Sequence, residues 1–192
     1  MAGSSRYTVI LDACVLYPAP VRDLLLSLAV AGLYHARWTH DIQREWVRSL
    51  LASRADLTEA QLATTCEQMN RAVPDSLVES HASIIPTLSL PDPDDRHVLA
   101  AAIIGRADAI VTYNLRDFPA DALHPFGIEA QHPDDFVMNQ LELSKISALS
   151  AVKAMRQRLS RPPRSAAELI ATLESCQLPQ TAAFLREAQA LI

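Results

Sequence analysis

The chain has 192 residues, a formal net charge of −5 and a hydrophobic share of 49%. That apolar content suffices for a folded core and excludes an intrinsically disordered chain. The longest stretch without acidic or basic side chains, Leu24 to Ala36, has 13 residues, which is too short for a membrane-spanning helix. No basic and apolar leader precedes Tyr7, and the three widely spaced cysteines do not indicate a disulfide framework. We therefore expect a protein of the reducing cytoplasm.

The charge is unevenly distributed along the chain. Segment 145–164 carries six lysines and arginines and no acidic residue, whereas the remainder carries 11 lysines and arginines and 22 acidic residues. An acidic body with one basic segment suits a polyanionic partner that is bound through one face or through metal ions. The alternative interpretation is a solvated helix face followed by a linker.

Short apolar runs alternate with helical patterns in the first three quarters of the chain. Strands are predicted at 7–11, 35–38, 109–112 and 128–131, with a further strand within 83–88. Capping residues and apolar stripes predict helices that begin after Pro18, Thr39, Thr58 and Asp92, and at Pro133. The alternation predicts a three-layer α/β/α fold around a central parallel sheet.

The region after about Ser144 shows no strand pattern. It predicts a helix, a break at 161–163, and two short helices at about 165–175 and 179–191. We therefore expect two domains, an α/β domain at 6–137 and a small all-helical C-terminal appendage at 144–192.

Four acidic residues fall near the carboxyl ends of the predicted strands, the edge at which open α/β sheets bind ligands. They are Asp12, directly after the first strand; Glu45, early in the helix after Thr39; Asp95, in the first turn of the helix that begins after Asp92; and Asp117, in the loop after strand 109–112. Four like charges would raise one another's pKa, so we expect a divalent cation among them. Oxygen ligands favour Mg²⁺ or Mn²⁺, which activates a water for attack on phosphorus and stabilises the leaving oxygen.

Three neighbouring polar residues are candidates for orienting these carboxylates. Thr112 and Asn114 follow the strand that precedes Asp117, and Asp94 stands beside Asp95. The alternatives are local: Asn114 can form a simple turn, and Asp94 and Asp95 can cap a helix. His97 is given no metal role, because a helix residue two positions after Asp95 is expected to point to another face.

With these residues in place, the sequence resembles a PIN-domain protein. Four segments carry the resemblance, which covers about residues 6–137: VILDACVLYP, RWTHDIQREW, LPDPDDRHVLAAAI and AIVTYNLRDFP. Within the family, the chain resembles the VapC-like toxins of bacterial toxin–antitoxin pairs, some of which carry a helical C-terminal extension. One position departs from the family pattern. Cys14 stands two residues after the first Asp, where Asn, Ser or Thr is most common.

The resemblance implies a Mg²⁺- or Mn²⁺-dependent endoribonuclease that hydrolyses single-stranded or loop RNA, often tRNA or rRNA. It implies that the four acidic positions of the family fall on Asp12, Glu45, Asp95 and Asp117. It also implies a cytoplasmic homodimer, with no membrane association, and a cognate antitoxin that covers the acidic cleft. The arginines of the basic segment are then predicted to hold RNA phosphates: Arg156, Arg158, Arg161 and Arg164. A role of this segment in antitoxin binding or dimerisation is the alternative.

Other hypotheses remain open from the sequence. The main alternative is a catalytically silent PIN-like scaffold that binds RNA or a protein. A haloacid-dehalogenase-type phosphatase would need a second Asp where Cys14 stands. A receiver domain would need a Lys late in the domain, whereas the first 144 residues contain none. A DNA flap nuclease would need a helical-clamp insertion, and the sequence shows no such insertion.

Overall fold

The structure is a computed structural model and describes residues 7–160 and 162–192. These residues form two units. The first contains the described residues up to Tyr17 together with Tyr34–His132, and the second contains Pro18–Leu33 and Pro133–Ile192. Within the described ranges, none of the helices combines the length and the apolar character that a bilayer crossing requires.

A parallel four-stranded sheet lies in the first unit. Its strands are β1 (Thr8–Leu11), β2 (His35–Arg37), β3 (Ala109–Val111) and β4 (Glu129–Gln131). The order across the sheet is β2-β1-β3-β4, and every pair is parallel. The two central strands, β1 and β3, are buried almost throughout, as their continuous apolar sequences predict. The predicted α/β fold with a central parallel sheet is confirmed.

Helices connect and follow the strands. In chain order the α-helices of the described residues are α1 (Ala13–Leu16), α2 (Ala19–Val30), α3 (His40–Ser53), α4 (Glu59–Ala72), α5 (Arg96–Ile104), α6 (Ala120–Leu123), α7 (Pro133–Leu143), α8 (Lys145–Arg158), α9 (Ala166–Ser175) and α10 (Pro179–Glu187). Helices α2 and α7 to α10 belong to the second unit. The remaining helices belong to the first unit.

Two of the helix starts that the sequence predicts have the expected caps. The Thr39 hydroxyl accepts a 3.1 Å hydrogen bond from the backbone N–H of Ile42 at the start of α3. Thr58 and Gln61 form the predicted capping box at the start of α4. Such caps satisfy backbone donors that have no partner within the first turn of a helix. The sequence therefore fixes where α3 and α4 begin.

The strand predicted within 83–88 is wrong. The chain forms a 3₁₀-helix there, His81–Thr87, with Pro86 inside it. Proline has no N–H to donate to a neighbouring strand, which disfavours a place within a sheet. The segment packs against α5 instead.

The second unit consists of helices, as predicted for the C-terminal region. Asp134 is buried, and its two carboxylate oxygens accept 2.8 Å hydrogen bonds from the backbone N–H groups of Gln180 and Thr181 at the start of α10. Ser165 and Glu168 form a capping box at the start of α9. These caps position the last two helices, and the domain boundaries 6–137 and 144–192 stay a prediction.

Candidate active site

Asp12 lies directly after β1 and is held at both carboxylate oxygens. Oδ1 accepts a 2.6 Å hydrogen bond from the backbone N–H of Ala13, and Oδ2 accepts a 2.7 Å bond from the hydroxyl of Thr112. The side chain is nearly inaccessible to solvent. Burial raises the pKa of Asp12, whereas the hydrogen bonds from Cys14 and Thr112 oppose that rise. The carboxylate therefore has a fixed orientation in an environment that disfavours an uncompensated negative charge.

The Cys14 side chain joins this hydrogen-bonded group. Its Sγ donates to Oδ2 of Asp12 at 3.1 Å, lies 3.3 Å from Oγ1 of Thr112 and accepts from the backbone N–H of Tyr113 at 3.3 Å. Burial, followed by the charge of Asp12, raises the pKa of the Cys14 thiol well above its usual range. Cys14 is thus a protonated donor to the carboxylate. The structure supplies a hydrogen bond at the position where the sequence departs from the family pattern.

Thr112 connects Asp12 to the loop that carries Asn114 and Asp117. The buried Thr112 hydroxyl donates to Asp12 and also accepts a 2.9 Å hydrogen bond from the backbone N–H of Asn114. The carbonyl of Asn114 in turn accepts a 3.0 Å bond from the backbone N–H of Asp117, which closes the 3₁₀ turn Leu115–Asp117. The loop after β3 is therefore tied to the carboxylate after β1.

Three of the four predicted acidic residues line one cleft of about 990 Å³ in the first unit: Glu45, Asp95 and Asp117. The cleft is also lined by Asp94 and Asn114, two residues that the sequence analysis proposed as orienting groups. Asp12 is not among the lining residues because it is buried. The predicted residues thus fall on one site, with Asp12 beneath its solvent-accessible surface.

The carboxylates are near enough to one another to interact electrostatically. Partial burial raises the pKa of Asp95 to about 7, and the charges of Asp12, Asp92, Asp117 and Glu45 add to this rise. An ordinary surface aspartate would be fully ionised at this pH. The site therefore concentrates negative charge that a bound cation would offset.

The donor set fits a hard divalent cation in its chemistry. Among the described residues, no group of three His, Cys, Asp or Glu side chains is arranged as a ready metal-binding cluster. Mg²⁺ does not need such a cluster, because it usually keeps several waters and binds through one or two carboxylates. Carboxylate oxygens are also the ligands that Mn²⁺ prefers. The residues present therefore suit an ion that is bound with part of its water shell.

His97 is a residue of this site that the sequence analysis assigned to another face. It lines the cleft, and its Nε2 lies 3.3 Å from Oε2 of Glu45. Burial alone would lower the pKa of His97, but the hydrogen bond and the charge of Glu45 outweigh it and the pKa is raised. His97 belongs to the site through its contact with Glu45 on α3. A direction different from that of Asp95 therefore did not exclude it from a cleft that several elements line.

Helix α3 contributes further charged groups to the cleft, namely Asp41, Arg44 and Arg48. Asp41 forms an ion pair with Arg44, and its other oxygen lies 2.8 Å from Nε2 of His81. Glu45 shares this helix, one turn after Asp41. The helical spacing in the sequence could have indicated that Asp41, Arg44, Glu45 and Arg48 share a face, once Glu45 was placed in a site.

The arginines of the basic segment lie in the second unit. Nη1 of Arg156 donates a 3.0 Å hydrogen bond to the carbonyl of Arg164, and Nη2 of Arg158 donates a 2.7 Å bond to the hydroxyl of Ser27 on α2. Arg164 is exposed, and Arg161 lies outside the described residues. RNA binding by these residues stays a prediction.

Two family models match separate parts of the chain. A family model described as PIN domain matches residues 8–116, and a model described as VapC50 C-terminal domain matches residues 133–187. The Mycobacterium tuberculosis (strain ATCC 25618 / H37Rv) protein named "Putative ribonuclease VapC50" is 46% identical over 92 residues, which are 48% of this chain and 54% of that protein. The match therefore spans about half the length of that relative. No solved structure shows significant similarity to the chain. Because the PIN-domain match covers more than half of the sequence, the chain belongs to the PIN-domain family.

Proposed function

We propose that the chain is a Mg²⁺- or Mn²⁺-dependent endoribonuclease and the toxin of a type II toxin–antitoxin pair. The observation that carries the proposal is that Glu45, Asp95 and Asp117 line one cleft. The charges of these carboxylates and of Asp12 add to the effect of partial burial in raising the pKa of Asp95 to about 7. Such crowding is unfavourable unless a cation or a proton compensates it. The M. tuberculosis relative is named a ribonuclease, which supports RNA as the substrate.

The residues that would hold the ion are Asp12, Glu45, Asp95 and Asp117. When bound, a divalent ion supplies Lewis acidity and an activated water for attack on phosphorus. Asp12 is pre-oriented for this role, because the N–H of Ala13 and the hydroxyl of Thr112 fix its oxygens. Nε2 of His97 lies 3.3 Å from Oε2 of Glu45 and helps to orient this carboxylate. Residues that orient ligating carboxylates in this way typically affect metal affinity and activity.

The charge of the cleft explains why an RNA substrate would need the cation. The chain has a net charge of −5, and its cleft is lined by several carboxylates, so a polyanion would be repelled in the absence of a cation. We include in the proposal a single-stranded or loop segment of RNA, such as tRNA or rRNA. A cytoplasmic location, a homodimer and a cognate antitoxin that covers the cleft belong to the same proposal.

The test is a cleavage assay with total tRNA and Mn²⁺. We expect cleavage by the wild type and none by Asp12→Asn, which removes a negative charge at nearly unchanged volume. Glu67→Gln is the matched control, because Glu67 is an exposed acid on α4 that does not line the cleft. Unchanged circular dichroism of Asp12→Asn would show that the fold is kept.

The possible outcomes separate the hypotheses. Full cleavage by Asp12→Asn would refute the assigned role of this carboxylate. A wild type that binds the RNA but leaves it intact would support the catalytically silent scaffold. The toxin role is tested by expression in a bacterial host. There the wild type should arrest growth, Asp12→Asn should not, and co-expression of a small neighbouring gene for the antitoxin should restore growth.

A further inference from the structure

Two arginines of α3 line the same cleft as the carboxylates. Arg44 and Arg48 stand four residues apart, one helical turn, and therefore share a face of the helix. Asp94, Asp95 and Asp117 line the cleft from other elements of the first unit. The cleft thus contains two cationic groups on one helix in addition to its acids.

The Arg44 guanidinium is oriented by an ion pair and keeps N–H donors that are free to bind a ligand. Its guanidinium forms an ion pair with one oxygen of Asp41, and the other oxygen of Asp41 lies 2.8 Å from Nε2 of His81. The carboxylate that holds Arg44 is therefore itself fixed. The Arg44 side chain is 75% exposed. A guanidinium has five N–H donors, so most of those of Arg44 remain available to a ligand.

Arg48 is exposed, and its side chain has no hydrogen bond or ion pair within the part of the chain that the structure describes. It also has a like-charged neighbour, Arg44, at the spacing where equal charges destabilise a helix. An anion bound between the two guanidinium groups would remove this repulsion. Arginine is well suited to such an anion because its planar fork matches phosphate oxygens.

We propose that Arg44 and Arg48 bind backbone phosphates of the RNA strand next to the phosphate that is cleaved. This inference rests on the proposed function, because it assumes that the substrate enters the carboxylate-lined cleft. The carboxylates would hold the reacting phosphate through the metal ion. The arginines would bind the neighbouring phosphates of the strand directly. The two groups together would fix the direction of the strand along α3.

The test is the salt dependence of RNA binding, measured by fluorescence anisotropy with a labelled single-stranded RNA. All proteins carry Asp12→Asn, so that the probe is not cleaved. The affinity is measured between about 50 and 300 mM KCl for this parent, for Arg48→Ala and for the pair Arg44→Ala, Arg48→Ala. Arg71→Ala is the matched control, since Arg71 is an exposed arginine on α4 outside the cleft.

We expect each lost phosphate contact to reduce the slope of log affinity against log salt by about 0.7, the value for single strands. Arg48→Ala should therefore lower the slope by about 0.7 and the double variant by about twice that, uniformly across RNA sequences. Arg71→Ala should keep the slope of the parent. The melting temperature of Arg48→Ala should not fall, because among the described residues the Arg48 side chain forms no ion pair that the substitution could remove.

Equal slopes for Arg48→Ala and Arg71→Ala would overturn the inference, as would an absence of RNA binding by the Asp12→Asn parent. The cleavage assay with the wild type and Asp12→Asn distinguishes this failure from failure of the proposed function. If that assay succeeds while the slopes are equal, the nuclease proposal stands and the arginine subsite is wrong. If the parent does not bind RNA and the wild type does not cleave it, both are wrong.

Discussion

The hydroxyl of Thr112, the residue after β3, donates a 2.7 Å hydrogen bond to Oδ2 of Asp12, the residue after β1. The two strands are neighbours in the sheet, with Leu11 paired to Val111. Residues that directly follow paired parallel strands must lie side by side. The bond between Thr112 and Asp12 is therefore a consequence of strand register, and it joins two predicted parts of the site.

Replacement of Thr112 by valine should weaken catalysis while keeping the fold. The variant keeps the shape of the side chain but removes the donor to Asp12 and the acceptor of the Asn114 N–H. We expect cleavage activity and Mn²⁺ affinity to fall about tenfold, the lower end of the effect of lost carboxylate partners. Thr112→Ser keeps the hydroxyl and should stay close to the wild type. Equal activity of the valine and serine variants would contradict this assignment.

Removal of metal should make the stability of the protein depend on pH through Asp95. Its pKa is raised to about 7, so the folded state binds a proton that the unfolded state releases near pH 4. The stabilisation by this proton is present at low pH and is lost as the pH rises through about 7.

Asp95→Asn lacks this dependence. With a chelator present, the variant should be more stable than the wild type at about pH 8, by about 1 to 2 kcal/mol after allowance for solvent screening. The difference should shrink towards pH 4. Urea denaturation at several pH values measures it, and a difference that does not vary with pH would contradict the assigned crowding.

Addition of Mn²⁺ should raise the melting temperature at neutral pH. An ion that binds only the folded state stabilises it by about 2.7 kcal/mol at a concentration 100 times its dissociation constant. Asp12→Asn should lose most of this shift, whereas Glu67→Gln should keep it. Calorimetry at constant ionic strength separates binding from a general salt effect, and a shift of the same size with K⁺ at matched ionic strength would exclude a metal site.

Replacement of His97 by alanine should reduce the rate of cleavage through Glu45. The Nε2 atom of His97 lies 3.3 Å from the Glu45 carboxylate, so the alanine variant leaves this carboxylate free to change its orientation. We expect the turnover number to fall about tenfold. His97→Gln can donate through its amide and should recover part of the loss. A purely structural role would instead lower the melting temperature of both variants without this difference in rate.

In the second unit, Asp134→Ala should be strongly destabilising. The substitution removes the acceptor of two backbone N–H groups, those of Gln180 and Thr181, at the start of α10. Hydrogen bonds to a charged acceptor contribute about 1.5 to 3 kcal/mol each, so we expect a loss of at least about 2 kcal/mol in urea denaturation. Asp135→Ala is the control, because Asp135 is exposed and its carboxylate accepts a hydrogen bond from the Gln180 side chain rather than from the backbone of α10. Similar losses in both variants would refute the capping role.

The sequence determines much of this fold through local physical signals. The continuous apolar runs at β1 and β3 predict buried central strands, and Thr39 and Thr58 predict the starts of α3 and α4. These signals are short-range, since burial pattern and capping depend on residues close in the chain. The placement of Asp12 at the edge of the sheet follows from the same signals.

Features that depend on distant partners were not predictable in this way. The segment 83–88 contains Pro86, a local signal against a strand, whereas its packing against α5 is known only from the structure. His97 lines the cleft beside Glu45, a residue of α3 that is distant in the chain, and residue spacing around Asp95 does not show this contact. Similarly, the apolar stripe of α2 does not indicate that Ser27 is bound by Arg158.

The protonated state of Cys14 has a consequence for the chemistry of oxidants. A thiolate reacts with peroxides and alkylating agents far faster than a thiol does. Burial and the adjacent Asp12 carboxylate keep this sulfur in its thiol form. The fold thereby places a cysteine donor next to its carboxylates in the thiol form, which is the form less prone to oxidation.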